Sequence, residues 1–226
     1  MVLIGTLMMP IVACEELFEK ETEKNTENDP IEVIEMELCV DTCHAHAVDL
    51  GLSIKWSCCN VGAYLPEECG NYYCWGGLEE MEEDYNFSGR NYRYPDSNIS
   101  GTIHDVAHMK WGDNWRMPTH AEWQELIDSC VWQRVILNGI KGMLVTGPND
   151  NSIFLPSAGY RGMGETFSCG DGGCYWSGTV GESESTADPA WSFQFAFNEK
   201  LSWIMNPVAC YESNGFYANS IRPVKE

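Results

Sequence analysis

The chain has 226 residues, which fits one domain and a tail, and its 34 acidic against 13 basic residues give a formal net charge of −21. Such an acidic surface repels phosphate backbones, which argues against nucleic-acid binding. Eleven cysteines in a chain of this length favour an oxidising compartment over the reducing cytosol.

The first 14 residues predict a lipoprotein signal peptide. Residues 1–13 carry no charge and are mostly apolar, a run too short to span a membrane but suited to the hydrophobic region of a signal peptide. Ile11-Val12-Ala13-Cys14 resembles a lipobox, in which a small residue precedes the cysteine that is lipidated. The basic residues that usually begin a signal peptide are missing, and a buried N-terminal strand is the alternative.

Residues 15–37 are predicted to be an acidic flexible tether. Residues 15–30 are rich in Glu, Lys, Thr and Asn and offer too little apolar surface to offset their ordering entropy. Residues 31–38 partly alternate between apolar and polar side chains, so a first strand there is the other interpretation. The globular domain is predicted to follow, over residues 38–226.

Several polar clusters have metal-binding chemistry, and at each the simpler interpretation is favoured. Residues 39–46 hold two cysteines and two histidines, but their spacing matches no standard zinc pattern, so disulfides are favoured. His104 and His108 lie four residues apart, a spacing on a helix that can hold a metal ion. Most histidine pairs with this spacing are ordinary surface residues, which is the interpretation favoured here. Residues 113–114 and 149–151 have the oxygen ligands that calcium prefers, yet Asn and Asp are equally typical of tight turns. No cofactor is predicted.

A helix is predicted over residues 119–130, and a shorter one over residues 104–110. Thr119 and Glu122 form a capping box, because each side chain can accept a hydrogen bond from the backbone amide of the other. One apolar stripe with helical spacing then packs against the rest of the domain. The stripe consists of Trp123, Leu126, Ile127 and Cys130.

Most of the remaining chain predicts strands. Asn138-Gly139 is a hairpin signal between strands Val131–Leu137 and Ile140–Thr146, and a turn at residues 147–151 leads into a further strand. Residues 191–198 alternate strictly, which predicts a strand with one face in the core. The residues of that face are Trp191, Phe193, Phe195 and Phe197.

Other strands are predicted near residues 48–56, 175–180, 201–205 and 220–224, and the segment between residues 205 and 217 is predicted to be irregular. The expected fold class is α+β, with antiparallel sheets, one main helix and one or two short helices.

A series of sequence blocks runs in order through residues 46–226. They are Val48-Asp-Leu-Gly-Leu, Lys55-Trp, Cys59-Asn-Val-Gly-Ala, Pro66-Glu-Glu with Gly70 and Trp75-Gly, Trp111-Gly-x-x-Trp-Arg-Met-Pro-Thr-x-Ala-Glu-Trp, Asn151-Ser-Ile-Phe-Leu-Pro-x-Ala-Gly-Tyr, Tyr175-Trp-Ser and Ser220-Ile-Arg-Pro-Val. Together they resemble the Fibrobacter succinogenes major paralogous domain family.

The resemblance implies a C-type-lectin-like fold, close to the variable proteins of diversity-generating retroelements and similar to formylglycine-generating enzymes. It also implies a lipid-anchored protein of the outer membrane or cell surface that binds or adheres to ligands. Cys59 and Cys130 stand where the family commonly has cysteines and are therefore disulfide candidates. Five cysteines depart from the family pattern, namely Cys58, Cys69, Cys74, Cys169 and Cys174.

The resemblance also locates a candidate binding surface. In the retroelement relatives, the segment before the final strand carries the variable binding residues. Here the corresponding segment is rich in Tyr and Asn, which suit adaptable recognition because Tyr adds contact area at low entropy cost and Asn adds hydrogen bonds. The candidate ligand-binding residues are Asn206, Tyr211, Glu212, Asn214, Phe216, Tyr217 and Asn219.

The predicted function is that of a cell-surface lipoprotein with a non-catalytic ligand-binding or adhesion domain. The expected ligand is a protein or a glycan, and the membrane is contacted only through the lipid anchor. No catalytic residue is predicted. Two alternatives stay open: a metal- or thiol-dependent oxidoreductase similar to formylglycine-generating enzymes, and a structural envelope protein that self-associates.

Overall fold

Two helices and fifteen strands form the regular structure of the residues that this computed structural model describes, which are 31–34, 46–82, 97–112, 114–184, 189–197 and 208–226. The predicted α+β class is confirmed, with one main helix, one short helix and mostly antiparallel sheets. The helices are α1 (Val106–Trp111) and α2 (His120–Ser129), and the strands are β1 (Glu32–Ile34), β2 (Ala47–Val48), β3 (Lys55–Ser57), β4 (Tyr73–Cys74), β5 (Trp115–Arg116), β6 (Val131–Leu137), β7 (Ile140–Thr146), β8 (Ser152–Pro156), β9 (Tyr160–Gly162), β10 (Glu165–Phe167), β11 (Gly172–Val180), β12 (Pro189–Ala196), β13 (Val208–Asn214), β14 (Ala218–Asn219) and β15 (Val224–Lys225).

The strands form four small sheets, ordered β1-β6-β7-β8, β10-β9-β14-β4, β11-β12-β13 and β2-β3-β15-β5. Several neighbours are distant in sequence. The C-terminal strand β15, for example, lies between β3 and β5. The C-terminal strand therefore completes a sheet whose other strands come from residues 47–116.

Several predictions concern residues outside the described part of the chain. They include the lipobox with its lipidation candidate Cys14, residues 15–30 of the tether, the strand at residues 201–205 and the binding candidate Asn206. Among the described residues, no helix is long and apolar enough to cross a membrane.

The predicted capping box fixes the start of α2. The Thr119 hydroxyl accepts from the Glu122 amide at 3.3 Å, and the Glu122 carboxylate accepts from the Thr119 amide at 2.7 Å. Two guanidinium nitrogens of Arg116 donate to the same carboxylate, at 2.8 and 2.6 Å. The helix predicted over residues 119–130 is confirmed, with Thr119 and Cys130 as its cap residues.

We expect Thr119→Ala to lower the free energy of unfolding by about 1 kcal/mol, because the Glu122 amide loses its acceptor at the helix start. Urea denaturation followed by far-ultraviolet circular dichroism measures this loss. The exposed Ser129→Ala at the other end of α2 is the control and should stay within about 0.5 kcal/mol of the wild type. Equal losses in the two variants would contradict the capping role.

The main core lies where α2 packs on β12. Trp123 is fully buried, stacks on Phe193 with ring centroids 4.4 Å apart and contacts the Trp56 ring at 4.6 Å. Its indole nitrogen donates to the Trp176 carbonyl at 3.3 Å. Leu126 from the predicted stripe is also fully buried. The apolar stripe of α2 therefore forms the centre of the domain, as predicted.

The predicted hairpin is confirmed between β6 and β7. Leu137 pairs with Ile140, and Asn138 and Gly139 both have positive φ angles, 48° and 86°, as a tight two-residue turn requires. On the other side of β6, β1 pairs in parallel. Residues 32–34, within the segment predicted as tether, thus form the first strand, which was the other interpretation of that segment.

The sheet β11-β12-β13 differs from the prediction in two ways. Residues 208–214, predicted to be irregular, form β13, which pairs with β12 along its whole length. Trp191 was predicted to share the core face with Phe193, but it is only half-buried and stacks on His120 at 4.0 Å. Trp191 lies near the start of β12, where α2 begins, so a helix residue covers it instead of the core.

The short helix begins later than predicted, at Val106, because Asp105 caps it. The buried Asp105 carboxylate accepts from the amides of Ala107, His108, Gly101 and Met117 at 2.7 to 3.2 Å. His104 therefore precedes the helix, and the predicted helical pair of His104 and His108 is not formed.

Arg222 is fully buried and links the C-terminal segment to two distant parts of the chain, residues 57–60 and β8. Its guanidinium donates to Asn60 Oδ1 at 2.8 Å, the Ser57 carbonyl at 3.0 Å and the Phe154 carbonyl at 2.8 Å. Burial lowers the pKa of Arg222, which reflects the cost of holding a charge away from water. Two distant sequence segments, those of Asn60 and Arg222, thus contact each other directly.

The disulfide suggested by the family pattern is not formed, since no disulfide joins two described cysteines. The Cys59 thiol donates to the Ala63 carbonyl at 3.6 Å within its own loop, which the Ser57 hydroxyl also closes. Cys130 caps the end of α2 and packs on the main core. The two cysteines belong to different clusters, which explains why they do not pair.

Candidate functional site

A cavity of about 320 Å³ lies between the sheet β11-β12-β13 and the strands β9 and β14. Five of the seven predicted binding residues line it, and they come from β13, from β14 and from the turn that joins these strands. We call it the β13 cavity. Its lining residues are Tyr160, Cys174, Gln194, Tyr211, Glu212, Ser213, Asn214, Tyr217 and Asn219.

The two other predicted binding residues do not line the β13 cavity. The Phe216 ring contacts the Tyr217 ring with centroids 4.6 Å apart, and the Phe216 carbonyl accepts from the Cys74 thiol at 3.5 Å. Phe216 therefore supports Tyr217 from outside the cavity. Asn206 lies outside the described residues.

A polar network forms one side of the cavity. The Gln194 amide donates to the hydroxyls of Ser192 and Ser213, at 2.8 and 2.9 Å, and these hydroxyls lie 2.8 Å from each other. Gln194 and Ser192 are buried. The network fixes the orientation of the Gln194 amide, so its carboxamide oxygen has a defined position at the cavity. Preoriented polar groups of this kind give a binding site its specificity.

Sequence reasoning missed Gln194, although a signal for it was present. The alternation of residues 191–198 places Ser192 and Gln194 on the face of β12 opposite Phe193 and Phe195. A polar face of this kind usually meets solvent, but here Ser192 and Gln194 are buried, and Gln194 lines the β13 cavity. Cys174 and Ser213 carried no comparable signal.

Tyrosine rings form another part of the lining, which we call the tyrosine wall. Tyr217 contacts Tyr160 edge-on, with centroids 5.3 Å apart, and Tyr160 in turn stacks on Phe167 at 5.2 Å. Gly162 makes room for this wall, because a Cβ there would lie 2.7 Å from the Tyr217 ring. Burial raises the pKa of Tyr160, so its hydroxyl stays protonated at neutral pH. The wall offers aromatic faces together with hydroxyl groups.

Glu212 lines the cavity and also holds a neighbouring loop. One carboxylate oxygen accepts from the Glu182 amide at 2.6 Å and the other from the Ser183 amide at 2.9 Å. Both oxygens are thus engaged in holding the loop that follows β11. Glu212 is the single acidic residue in the described lining, so this engagement leaves the cavity surface dominated by neutral polar and aromatic groups.

The cavity thiol is kept protonated. Cys174 is buried, and burial raises its pKa to about 12. A protonated thiol is a weak nucleophile. At neutral pH Cys174 therefore contributes its shape and a weakly polar thiol to the cavity lining.

The candidate metal ligands at residues 149–151 are engaged in a turn. The side-chain amides of Asn149 and Asn151 both donate to the Asp49 carbonyl, at 2.9 and 2.8 Å, and Asp150 has a positive φ of 66°. This is the simpler interpretation that the sequence favoured. Within the described part of the chain, no group of three or more His, Cys, Asp or Glu side chains is placed to hold a metal ion.

Comparisons with protein-family models, with curated proteins and with solved structures find no match to this chain. Function must therefore be inferred from the chemistry of the β13 cavity and its surroundings.

Proposed function

We propose that this protein is a lipid-anchored cell-surface protein whose C-type-lectin-like domain binds a protein or glycan ligand in the β13 cavity without catalysing a reaction. The observation that carries the proposal is the convergence of Tyr211, Asn214, Tyr217 and Asn219, selected from the sequence as binding residues, on one cavity. Its volume lies at the lower end of the range typical of ligand sites, about 300–1,000 Å³.

The lining indicates what kind of group binds. Tyr160 and Tyr217 present aromatic faces. Gln194 offers its carboxamide oxygen as an acceptor, because its NH2 group already donates to two serine hydroxyls, and the Asn219 side chain adds a second amide. Because the Glu212 carboxylate is engaged by backbone amides, the preferred group is neutral and polar. A sugar ring fits this description, and so does a neutral polar side chain of a protein partner.

We expect Tyr211→Ala and Asn219→Ala to weaken binding at least roughly tenfold, because each removes contact area or a buried amide from the cavity. The purified chain is screened on an array of immobilised glycans and surface proteins, and the dissociation constant of each hit is then measured by calorimetry. Tyr64→Ala is the matched control, since Tyr64 is well exposed and does not line the cavity. Circular dichroism spectra of the variants establish that the fold is retained.

Unchanged affinity in Tyr211→Ala and Asn219→Ala would contradict the location of the site. No binding on the array, combined with concentration-dependent self-association in sedimentation, would favour the structural envelope protein instead. Turnover of a bound compound would contradict the non-catalytic assignment.

A further inference from the structure

The thiols of two cysteines outside the β13 cavity lie next to each other. Cys69 and Cys169, far apart in sequence, share a side-chain hydrogen bond. Neither stands where the family pattern has a cysteine, and the binding function does not use them. Two adjoining thiols that are not joined by a disulfide are the reduced form of a potential redox pair.

The backbone holds both cysteines against the same short segment, residues 157–159. The Cys69 carbonyl accepts from Asn60 Nδ2 at 2.8 Å, and its side chain packs in a cluster with Ala158. Cys169 lies in a turn whose Gly170 amide donates to the Ser157 carbonyl at 2.8 Å. The two thiols thus meet because both loops are anchored to the end of β8.

The pair is asymmetric. Cys169 is exposed, whereas Cys69 is half-buried, so a reagent from solvent reaches Cys169 first. The hydrogen bond from Cys69 lowers the pKa of Cys169 to about 6, against the opposing effects of burial and of Asp171, and Arg161 lowers it further. The same hydrogen bond and burial raise the pKa of Cys69, with Tyr72 and Arg161 acting in the opposite direction. The accessible sulfur is therefore the one favoured to ionise, and the covered sulfur the one that keeps its proton.

We propose that Cys69 and Cys169 form a thiol–disulfide exchange site for low-molecular-weight disulfides, with Cys169 as the attacking and Cys69 as the resolving sulfur. The Cys169 thiolate attacks one sulfur of the disulfide, forms a mixed disulfide and releases the other half as a thiolate. Cys69 then attacks the Cys169 sulfur, loses its proton to solvent and releases the second half. The two cysteines are oxidised to one disulfide, and the small disulfide is reduced to two thiols.

The expected rate advantage is largest in mild acid. At about pH 6, roughly half of Cys169 is thiolate, against roughly three parts in a thousand for an ordinary thiol, a gain of roughly 150-fold. The lower nucleophilicity of a less basic thiolate offsets roughly 15-fold of this gain. Cys169 should therefore react roughly 10-fold faster than an ordinary exposed thiol at that pH, and only about twofold faster near neutrality.

The test uses the reduced full chain and oxidised glutathione. Samples incubated at about pH 6 and about pH 8 are quenched with acid, alkylated, digested and mapped by mass spectrometry. The expected product is a peptide pair joined through Cys69 and Cys169, with release of reduced glutathione. Cys210, a half-buried thiol whose pKa burial raises to about 12, serves as the internal slow reference.

Variants separate the two roles. In Cys69→Ser, which keeps a hydrogen-bond donor but cannot resolve, a Cys169–glutathione mixed disulfide should accumulate. In Cys69→Ala, which removes the donor, the pH midpoint of Cys169 alkylation should rise from about 6 towards that of an ordinary thiol. In Cys169→Ser, oxidation of Cys69 should slow at least roughly tenfold. Cys130→Ser is the control and should exchange like the wild type.

Three results would overturn the proposal. The first is absence of the Cys69–Cys169 peptide pair from the oxidised wild type. The second is an alkylation midpoint for Cys169 no lower than that of an ordinary thiol. The third is a mixed disulfide that persists as long in the wild type as in Cys69→Ser. Because neither thiol lines the β13 cavity, failure here leaves the binding proposal untouched.

Discussion

Replacing Arg222 with alanine is expected to lower the free energy of unfolding by roughly 3–5 kcal/mol. Three buried oxygens, on Asn60, Ser57 and Phe154, lose the guanidinium that donates to them. Each buried acceptor left without a donor costs roughly 1–3 kcal/mol, and relief of the burial cost of the Arg222 charge offsets only part of the sum. Urea denaturation under reducing conditions, with linear extrapolation, measures the change.

Two comparisons make the Arg222 result specific. Arg222→Lys keeps the charge but not the planar fork that reaches three acceptors, so it should recover at most about half of the loss. Arg134→Ala removes a half-buried arginine with one long contact to the Phe197 carbonyl, at 3.4 Å, and should cost at most about 1 kcal/mol. A loss below about 1 kcal/mol in Arg222→Ala would contradict the linking role of Arg222.

Local signals account for what the sequence predicts correctly. Thr119 and Glu122 are three residues apart, and both hydrogen bonds of their capping box form within one helical turn. Asn138-Gly139 sets the register of β6 and β7 because only a few residue types adopt two successive positive φ angles readily. Such contacts depend on neighbouring residues alone, so they can be derived without knowledge of the rest of the fold.

Contacts between distant segments account for what the sequence misses. Residues 208–214 have no clear apolar alternation, and β13 exists because β12 supplies a continuous set of pairing partners. Trp191 fits the core pattern of its strand, but its place is decided by His120 from α2. The meeting of Cys69 with Cys169 likewise requires two loops to be anchored on the end of β8, which no spacing in the sequence indicates.

The β13 cavity contains residues that the sequence predicted and residues that it missed. Tyr211 and Asn214 could be selected from the sequence because the family resemblance pointed to the segment before the final strand. The wall formed by Tyr160 could not, since it belongs to β9 and reaches the cavity only through the pairing of β9 with β14. Glu212 lines the cavity and also anchors the amides of residues 182–183, a contact that the sequence did not indicate.

Replacing Trp123 with alanine is expected to lower the free energy of unfolding by roughly 3–5 kcal/mol. The indole is fully buried, stacks on Phe193 with an interplanar angle of 8° and donates to the Trp176 carbonyl. Its removal leaves a void that closely packed neighbours fill only in part, so the cost includes both lost transfer free energy and lost packing. Denaturation monitored by circular dichroism measures the loss.

Trp123→Phe and Gln124→Ala show which property of the position matters. Phenylalanine keeps the stacking on Phe193 but loses volume and the indole donor, so it should cost less than alanine, roughly 1–3 kcal/mol. Gln124 is the exposed neighbour on α2, and its loss should stay within about 0.5 kcal/mol. Because Phe193 and the cavity residue Gln194 are adjacent on β12, we also expect Trp123→Ala to weaken ligand binding in chains that remain folded. A strong loss of stability with unaltered affinity would instead show that the core and the β13 cavity are energetically independent.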